Sequence, residues 1–242
     1  MKRRALVIGL NYDGTPYRLS GCVQDALEIK TRIDVSRYDA VMHTETVTPG
    51  EVAEYLGFIA RTHTKSDSFY FTYSGHGTQI PGPEADGYDE ALCLYDRPNG
   101  ITLLKDNDLA AMLSRIEGNV FVLLDSCYSG GMERSAAPPM YPDMKRKFIP
   151  FDLSFAIFAP DKAKTAPRQT VRRQYNLFAC AESEVSWDTG GGGVFTSSLV
   201  YHFDKGRHGI GAIMRGCMDS CKGLQTPGYK IRGGTAAKRL FM

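Results

Sequence analysis

The chain has 242 residues, of which 43% are hydrophobic and 23% are charged, and its net charge is +2. This length and composition are typical of one globular domain with a full core, and the small net charge argues against a nucleic-acid-binding protein. No apolar run reaches the roughly 18 residues of a membrane-spanning helix, so we expect no membrane contact. Because the chain opens on a predicted strand, we also expect no signal peptide or pro-domain. We predict a cytoplasmic location, with the six cysteines reduced.

Strands and helices alternate along the predicted chain. Short apolar runs bounded by turn residues predict the strands, and apolar residues at helical spacing predict the helices between them. This alternation predicts an α/β fold with a mostly parallel sheet. The predicted strands cover residues 5–10, 39–43, 69–73, 91–95, 120–124, 175–181 and 227–231. The predicted helices cover residues 22–33, the stretch after Thr48, 106–116, 195–203 and 209–221.

Local signals mark two helix starts and two loops. Ser20 is positioned to cap the helix predicted from residue 22. Residues 48–51 (TPGE) have the pattern of a capping box, with proline at the first helical position. Residues 79–89 are acidic and rich in Gly and Pro, which predicts a loop. We interpret the four glycines at 190–193 only as a flexible loop.

A cysteine and a histidine each follow a predicted strand. Cys127 comes two residues after a fully apolar strand and His76 lies between two glycines after another. Ligands gather beyond the carboxyl ends of strands in an open parallel sheet, and a thiol needs a base to become a nucleophilic thiolate. Their separation fits one crossover plus a strand, so the two side chains are predicted neighbours. An ordinary loop thiol and a turn histidine are the alternatives.

Several motifs follow one another in a fixed order. They include ALVIGLNYDGTPYRLSGCVQDA at residues 5–26, SGHG at 74–77, GYDEA at 87–91, DSCYSG at 125–130 and NLFACA at 176–181. In this order they resemble the metacaspases, which are caspase-like cysteine peptidases of clan CD (peptidase family C14). The resemblance implies the caspase-hemoglobinase fold, a mostly parallel sheet with helices on both faces. It also implies a cysteine-type endopeptidase.

The resemblance implies a catalytic dyad. Cys127 is the expected nucleophile and His76 the expected base, which later protonates the leaving amine. The backbone N–H groups of Cys127 and Gly77 are expected to hold the oxyanion, and glycine at position 77 lets the substrate carbonyl approach closely.

Two carboxylates point to the substrate. Asp125 precedes Cys127 by two residues, and Asp25 lies in the GCVQDA motif. Two carboxylates in one pocket need a cation between them. This predicts Arg or Lys as the substrate residue before the cleaved bond. The resemblance implies the same roles. Cys22 and Ser74 are further candidates for the pocket. A first-turn helix charge for Asp25, a turn role for Asp125, and core or turn roles for Cys22 and Ser74 remain alternatives.

A calcium site is expected to be weak. Metacaspases are commonly activated by calcium on acidic residues outside the cleft, and the family positions map to Asp89 and Asp106 here. The neighbouring family carboxylates map to Asn107 and near Arg134, so two negative charges are lost and one positive charge is gained. We therefore expect no required cofactor and weak or absent calcium dependence, with a helix N-cap as the alternative role of Asp106.

Residues 132–173 form a Pro-rich, basic linker between a large-subunit-like part, residues 1–131, and a small-subunit-like part, residues 174–242, of one caspase-like domain. Within the linker, residues 151–158 (FDLSFAIF) are apolar enough to pack on the body or cover the cleft. An Arg/Lys-specific peptidase could cleave itself here; a solvated basic loop is the alternative. The candidate cleavage positions are Lys145, Arg146, Lys147, Lys162, Lys164, Arg168, Arg172 and Arg173.

The leading function is a cysteine endopeptidase that hydrolyses peptides or proteins after Arg or Lys, acting as a monomer. A non-catalytic scaffold or binding protein on the same fold is the alternative. It would be expected to have lost Cys127, His76 or an acidic pocket residue, and the chain keeps all of them. A nucleotide-binding protein would want a G-x-G-x-x-G loop after the first strand, which is absent. A caspase with Asp specificity would need Arg in the pocket.

Overall fold

The computed structural model describes residues 1–83, 87–127, 144–160, 172–181 and 184–242. In this part of the chain we number the elements in chain order. The strands are β1 (Arg3–Gly9), β2 (Asp39–His43), β3 (Ser68–Ser74), β4 (Gly77–Pro81), β5 (Tyr88–Asp96), β6 (Gly100–Lys105), β7 (Gly118–Asp125), β8 (Lys145–Arg146), β9 (Ala156–Ile157), β10 (Arg172–Phe178), β11 (Trp187–Asp188) and β12 (Gly228–Arg232). The helices are α1 (Cys22–Val35), α2 (Pro49–Thr62), α3 (Asp106–Leu113), α4 (Val194–Asp204) and α5 (Ile210–Ser220).

The central sheet has the strand order β12-β10-β7-β3-β1-β2. All neighbouring pairs are parallel except β10 and β12. Every residue of β3 is buried, as expected for a central strand covered on both faces. The mostly parallel sheet predicted from the alternation of elements is confirmed.

Helices cover both faces of the sheet, and the side chains of each strand alternate between two apolar cores. On one face Phe69 and Phe71 of β3 pack in a cluster that includes Leu56 of α2 and Met112 of α3. On the other face Tyr70 lies in a cluster with residues of α1, α4 and α5. The arrangement leaves the carboxyl ends of β3 and β7 side by side.

The start of α1 differs from the prediction. The N-cap is Gly21, with no side-chain cap of its own. Instead the Asn11 side-chain Oδ1 accepts hydrogen bonds from the backbone N–H groups of Cys22 and Val23, at 3.0 and 3.2 Å. Ser20 lies one residue too early, and its N–H donates to Asp188 at 2.7 Å. The capping box at Thr48 is present as predicted.

A second sheet, of order β4-β5-β6-β9, extends from the residues after β3. Residues 79–81, predicted as loop, belong to β4, because antiparallel pairing with β5 supplies backbone hydrogen bonds that Gly and Pro content does not reveal. The apolar stretch 151–158 packs on the body: β9 pairs with β6, and Phe155 is buried. The division into large part, linker and small part stays a prediction.

Candidate active site

The site lies beyond the ends of β3 and β7. These strands are parallel neighbours, and Ser74 pairs with Asp125 at their last residues. His76 and Cys127 each follow two residues after that pair, so the same geometry that ends the two strands brings both candidates to one edge of the sheet. Both side chains are buried, His76 to 4% and Cys127 to 0% exposure.

Two tyrosine hydroxyls hold the backbone of His76 through hydrogen bonds. The backbone N–H of His76 donates to the Tyr12 hydroxyl at 2.9 Å, and the Tyr73 hydroxyl donates to the His76 carbonyl at 2.6 Å. The ring contacts the carbonyl oxygen of Tyr17 through Nε2 at 2.7 Å. A carbonyl only accepts, so this contact requires the proton on Nε2 and leaves Nδ1 as the basic nitrogen. Nδ1 is buried with no hydrogen-bond partner among the described residues.

Burial lowers the pKa of His76 to about 4, partly offset by the Tyr17 carbonyl. The imidazole is therefore neutral at pH 7 and able to accept a proton. The Cys127 Sγ accepts a hydrogen bond from the Ser186 N–H at 2.8 Å. Between His76 and Cys127 the described contacts include no direct hydrogen bond, so the resting thiol is held by Ser186.

Asp25 and Asp125 face each other in one buried pocket. Asp25 accepts hydrogen bonds from the Ser74 hydroxyl at 2.6 Å and the Gly193 N–H at 2.8 Å. Asp125 accepts from the hydroxyls of Ser186 and Thr196, each at 2.6 Å. Each carboxylate is thereby held by neutral donors, which fixes its position without neutralising its charge.

Lys147 fills this pocket, and its side chain has 0% exposure. The ammonium Nζ lies 2.9 Å from Asp25 and 3.0 Å from Asp125, and it donates to the Ser74 hydroxyl at 2.9 Å. An ammonium has three N–H donors, and these three acceptors satisfy all of them.

The ammonium and the two carboxylates in the pocket shift one another's pKa values. Burial raises the pKa of Asp25 to about 6; the Lys147 ammonium lowers it, and the neighbouring Asp125 raises it. Burial alone would lower the pKa of Lys147, but Asp125 and Asp25 raise it well above its usual value. One cation thus serves two buried carboxylates, so Lys147 stays charged and the pocket retains a deficit of positive charge.

The backbone of Lys147 makes hydrogen bonds with Gly77, Cys127 and Ser186. Its carbonyl oxygen accepts hydrogen bonds from the N–H groups of Gly77 and Cys127, at 3.0 and 3.3 Å. Its own N–H donates to the Ser186 carbonyl at 2.9 Å, and the N–H of Ile149 donates to the Gly77 carbonyl at 3.1 Å. A Cβ at position 77 would overlap with the Cys127 carbonyl oxygen, so glycine is required there.

The glycine run contributes a wall of the pocket, which corrects its interpretation as a flexible loop. Besides donating its N–H to Asp25, Gly193 has no room for a side chain, because a Cβ would overlap with the Asp125 carboxylate and the Lys147 ammonium. The run follows the short strand β11 by two residues. Its last glycine is thus fixed by close approach of the backbone to charged groups.

The other two pocket candidates have different surroundings. Ser74 contacts both the Asp25 carboxylate and the Lys147 ammonium. Cys22 is buried at the start of α1 near the same charges, and burial raises the pKa of its thiol. All six cysteines are free thiols and buried.

Comparison with known proteins identifies the family. A family model described as a caspase domain matches residues 2–230. The chain belongs to the caspase-domain family. Metacaspase-1 of Coccidioides immitis is 32% identical over 145 residues, 53% of this chain and 31% of that protein. Metacaspase-8 of Arabidopsis thaliana is 33% identical over 149 residues, 54% of this chain and 38% of that protein.

These matches confirm the resemblance to metacaspases, and they span about a third of the length of the curated relatives. The caspase-like fold is confirmed as well. A crystal structure of a Geobacter sulfurreducens protein, 23% identical, superposes with a TM-score of 0.77 and covers 100% of this chain and 98% of its own. No described helix is long and apolar enough to cross a membrane.

The candidate calcium ligands of this caspase-domain chain do not form a metal site with other described residues. Asp89 is buried at 4% exposure on β5, and the Lys105 ammonium contacts its Oδ2 at 2.7 Å. Asp106 begins α3 and accepts a hydrogen bond from the Asn107 N–H at 2.6 Å. No group of three or more His, Cys, Asp or Glu side chains in the described ranges is arranged to hold a metal ion. The described residues therefore do not fit a calcium ion, and weak calcium dependence stays a prediction.

Several residues of the site escaped the sequence analysis. Tyr12 lies within the motif at residues 5–26, but no role was predicted for it; its backbone is in the left-handed region, with φ 54°, and its hydroxyl accepts the N–H of His76. Ser186 and Thr196 hold Asp125, and the serine carries no motif. Thr196 lies in the helix predicted from residue 195, so the sequence predicted its place in the fold but not its contact with Asp125.

Proposed function

We propose that this chain is a cysteine endopeptidase that hydrolyses peptide bonds after Lys or Arg, with Cys127 as nucleophile and His76 as base. One observation carries the proposal. The ammonium of Lys147 sits between Asp25 and Asp125 while its carbonyl oxygen faces the N–H groups of Gly77 and Cys127. The side chain of a basic residue therefore occupies a specificity pocket while the carbonyl oxygen of the same residue occupies an oxyanion site. Below, P1 is the residue before the cleaved bond.

The reaction begins with proton transfer. The Cys127 thiol gives its proton to Nδ1 of His76, whose Nε2–H stays bonded to the Tyr17 carbonyl. This step requires the thiol to exchange its hydrogen bond with Ser186 for one with the imidazole, a tightening that catalytic groups commonly undergo as the reactive complex forms.

The thiolate then forms a bond to the carbonyl carbon of P1. Negative charge moves to the carbonyl oxygen, where the N–H groups of Gly77 and Cys127 stabilise it more strongly than they stabilise the neutral carbonyl. The His76 imidazolium donates its proton to the amide nitrogen, the C–N bond breaks, and the amine leaves. The acyl group remains on Cys127 as a thioester.

Water completes the cycle. Neutral His76 takes a proton from water, the hydroxide bonds to the thioester carbon, and the Cys127 thiolate leaves and recovers a proton from the imidazolium. One water is consumed and one carboxylate and one amine are formed. At P1 the paired carboxylates attract a cation, and an acidic P1 side chain would place a third negative charge in a buried pocket, which excludes Asp specificity.

Self-cleavage follows from the same geometry. Of the basic residues in the linker, Lys147 is the one that the described structure seats in the pocket, so we assign the Lys147–Phe148 bond as the site of cleavage. Until this bond is cut and the new end leaves, the segment excludes other substrates from the cleft. The linker is thus both an inhibitor and the first substrate.

Fluorogenic peptides that differ only in P1 test the proposed function. Peptides ending in Lys, Arg or Asp are incubated with the wild-type chain and with Cys127→Ala, with and without calcium. We expect hydrolysis after Lys and Arg, none after Asp, and none in the variant. Silence on all three peptides from a folded chain whose linker is cut would favour the non-catalytic scaffold, and silence with the linker intact would mean that the segment still blocks the cleft.

A further inference from the structure

The residues that follow Lys147 are anchored to the body of the protein. The Ile149 N–H donates to the Gly77 carbonyl at 3.1 Å. The Ile149 side chain has 1% exposure and lies in the same apolar cluster as Phe71 of β3. The Phe148 ring is half-buried and packs against the cluster that contains Cys127. The chain on the amine side of the Lys147–Phe148 bond is thus docked in the core.

A second set of anchors lies farther along the segment. Phe155 is buried at 8% exposure, and its ring contacts that of Tyr17, with 5.9 Å between the ring centroids. The strand β9 pairs with β6, and the Phe158 N–H donates to the Leu103 carbonyl at 3.0 Å. These contacts involve neither Lys147 nor the acidic pocket, so cutting the bond after Lys147 leaves them in place.

The other side of the same bond is held by different means. The Lys147 side chain lies between Asp25 and Asp125, and its carbonyl oxygen accepts from the N–H groups of Gly77 and Cys127. In the proposed function every substrate needs these two places, so a substrate displaces the Lys147 end by competition. The Phe148 end has anchors that a substrate does not need. We therefore expect the Lys147 end to leave after the cut and the Phe148 amine to stay beside Cys127.

A docked amine competes with water for the acyl-enzyme. Well-oriented groups within one molecule reach effective molarities of about 10⁵ M or more. Even with Ile149 undocked, the seven residues from Phe148 to Phe155 hold the amine within about 25 Å of its anchor, which gives a roughly millimolar effective concentration. A protein substrate displaces the Phe148 end while its own chain crosses the cleft. That end returns once the substrate's leaving amine has diffused away.

We propose that the chain cut after Lys147 is also a peptide ligase, which transfers the acyl part of a substrate with Lys at P1 to its own Phe148 amine. This inference rests on the proposed peptidase function. The acyl donor is the thioester on Cys127, and the product is a new Lys–Phe peptide bond in the position of the original one. Each ligation therefore closes the cleft again, with a piece of substrate in the place of the Lys147 end.

The step is the reverse of acylation. The neutral Phe148 amine forms a bond to the thioester carbon, while the N–H groups of Gly77 and Cys127 stabilise the oxyanion. Nδ1 of His76 takes a proton from the attacking nitrogen, the C–S bond breaks, and the Cys127 thiolate recovers that proton from the imidazolium. One thioester and one amine give one amide and one thiol, and no water is consumed.

A biotinylated peptide tests the ligation in the self-cleaved protein. The substrate is biotinyl-Ala-Ala-Lys-aminomethylcoumarin, whose released coumarin reports formation of the acyl-enzyme. Transfer adds the biotinyl-Ala-Ala-Lys acyl group to the fragment 148–242, whereas a trapped thioester adds it to the fragment 1–147, which carries Cys127. We expect intact-mass spectrometry to find the adduct on at least about one tenth of the 148–242 fragments. It should lie at Phe148, resist hydroxylamine and be absent after alkylation of Cys127.

Variants of the anchors link the transfer to the docked end. Ile149→Ala removes most of a buried side chain, so the ratio of adduct to released coumarin should fall at least about tenfold. Leu153→Ala is the matched control in the same segment; the Leu153 side chain is 92% exposed, and the ratio should stay within about twofold of wild type. Should Ile149→Ala fail to fold, Ile149→Val, which removes one methylene, should lower the ratio about fourfold.

The outcomes separate the two proposals. Release of coumarin with no mass added to the fragment 148–242 would overturn the ligase while leaving the peptidase intact. An equal ratio in wild type and in the folded Ile149 variants would show that the amine is not held by its docking, which would also overturn the inference. Failure to release coumarin from a chain whose linker is cut would instead refute the peptidase, and the ligase with it.

Discussion

Two buried carboxylate sites in this chain each contain a lysine ammonium, and they differ in where that lysine comes from. Asp89 on β5 meets Lys105 of the adjacent β6, within one continuous hairpin. The pair Asp25 and Asp125 meets Lys147, which comes from the linker and shares no sheet with either carboxylate. The first cation is part of the body, whereas the second belongs to a segment that crosses the cleft.

The difference indicates which site is structural. A carboxylate whose cation is built into the same sheet has no need of a ligand. In the proposed function, by contrast, the place of the Lys147 side chain between two carboxylates is one that any peptide with a basic side chain could take. Both sites are acidic and buried, so burial and charge alone would not have separated them.

The largest expected effect is on stability. In the Cys127→Ala background, which stays uncut, Lys147→Ala removes a fully buried cation between two carboxylates and should lower the free energy of unfolding by about 3–5 kcal/mol. Lys105→Ala is the matched variant; because Lys105 is partly exposed, its loss should cost about 1 kcal/mol or less. Urea unfolding measures both. Equal losses would erase the distinction between the two sites.

The next effect is on activity. Asp25→Asn and Asp125→Asn each remove one attraction for a P1 cation in a buried pocket, and kcat/KM for Lys peptides should fall about 100-fold. Asp89→Asn, the control for loss of a buried carboxylate, should change it by less than about twofold. Peptide hydrolysis at saturating and subsaturating substrate gives the comparison. A loss in Asp89→Asn as large as in the pocket variants would contradict the assignment.

Acid should destabilise the intact chain through His76. Its pKa is about 4 in the fold, because burial disfavours the charged ring, against about 6.5 when unfolded. Between these values the unfolded state binds more protons, so stability is fully present above pH 6.5 and is lost as the pH falls towards 4. From pH 7 to 5, Cys127→Ala should lose roughly 2 kcal/mol more than Cys127→Ala/His76→Gln.

Denaturant curves of these two variants at both pH values measure the difference. Subtracting the His76→Gln variant removes the other titrating groups, including His63, whose pKa burial also lowers to about 4. Parallel pH profiles would mean that His76 is already hydrated beneath the linker segment, and that the segment does not seal the site.

A glycine substitution tests the pocket wall. Gly193→Ala places a methyl group against the Asp125 carboxylate and the P1 cation, and should reduce kcat/KM for Lys peptides about tenfold. Gly191→Ala, two residues earlier in the same run, meets nothing within 4 Å and is the control. If the two variants behaved alike, the effect would come from stiffening the run and not from filling the pocket.

The smallest effect is expected for calcium. Lys105 already occupies the Asp89 side of the candidate site, so chelation should change the rate of peptide hydrolysis by less than about twofold. Rates with chelator and with added millimolar calcium are compared. A strict requirement for millimolar calcium would contradict this prediction.

The sequence was sufficient for the parts that local patterns encode. His76 and Cys127 follow buried strands and Asp125 ends one, and a turn after such a strand is visible as an abrupt change from apolar to polar and small residues. The predicted strands and helices lie within a few residues of observed ones for the same reason, whereas β4 and β6 were not predicted as strands. The capping box at Thr48 is local as well, and it is present.

Contacts between distant segments could not be predicted. Lys147 looked no different from the seven other candidate cleavage residues of the linker. What distinguishes it is that its side chain lies between Asp25 and Asp125 while its carbonyl oxygen accepts from the N–H groups of Gly77 and Cys127. Glycine is required at position 193 by close contacts with Asp125 and Lys147, which lie far away in sequence. Asn11 replaced Ser20 as the cap of α1 because a loop folds back onto the helix start.

The most direct test is the identity of the new amino terminus after incubation of the purified chain. Intact-mass spectrometry and amino-terminal sequencing of wild-type protein should find a terminus at Phe148, and Cys127→Ala should remain uncut. Cleavage at other linker positions with Lys147–Phe148 left intact, or the same cut in Cys127→Ala, would contradict the claim that Lys147 occupies the cleft as the first substrate.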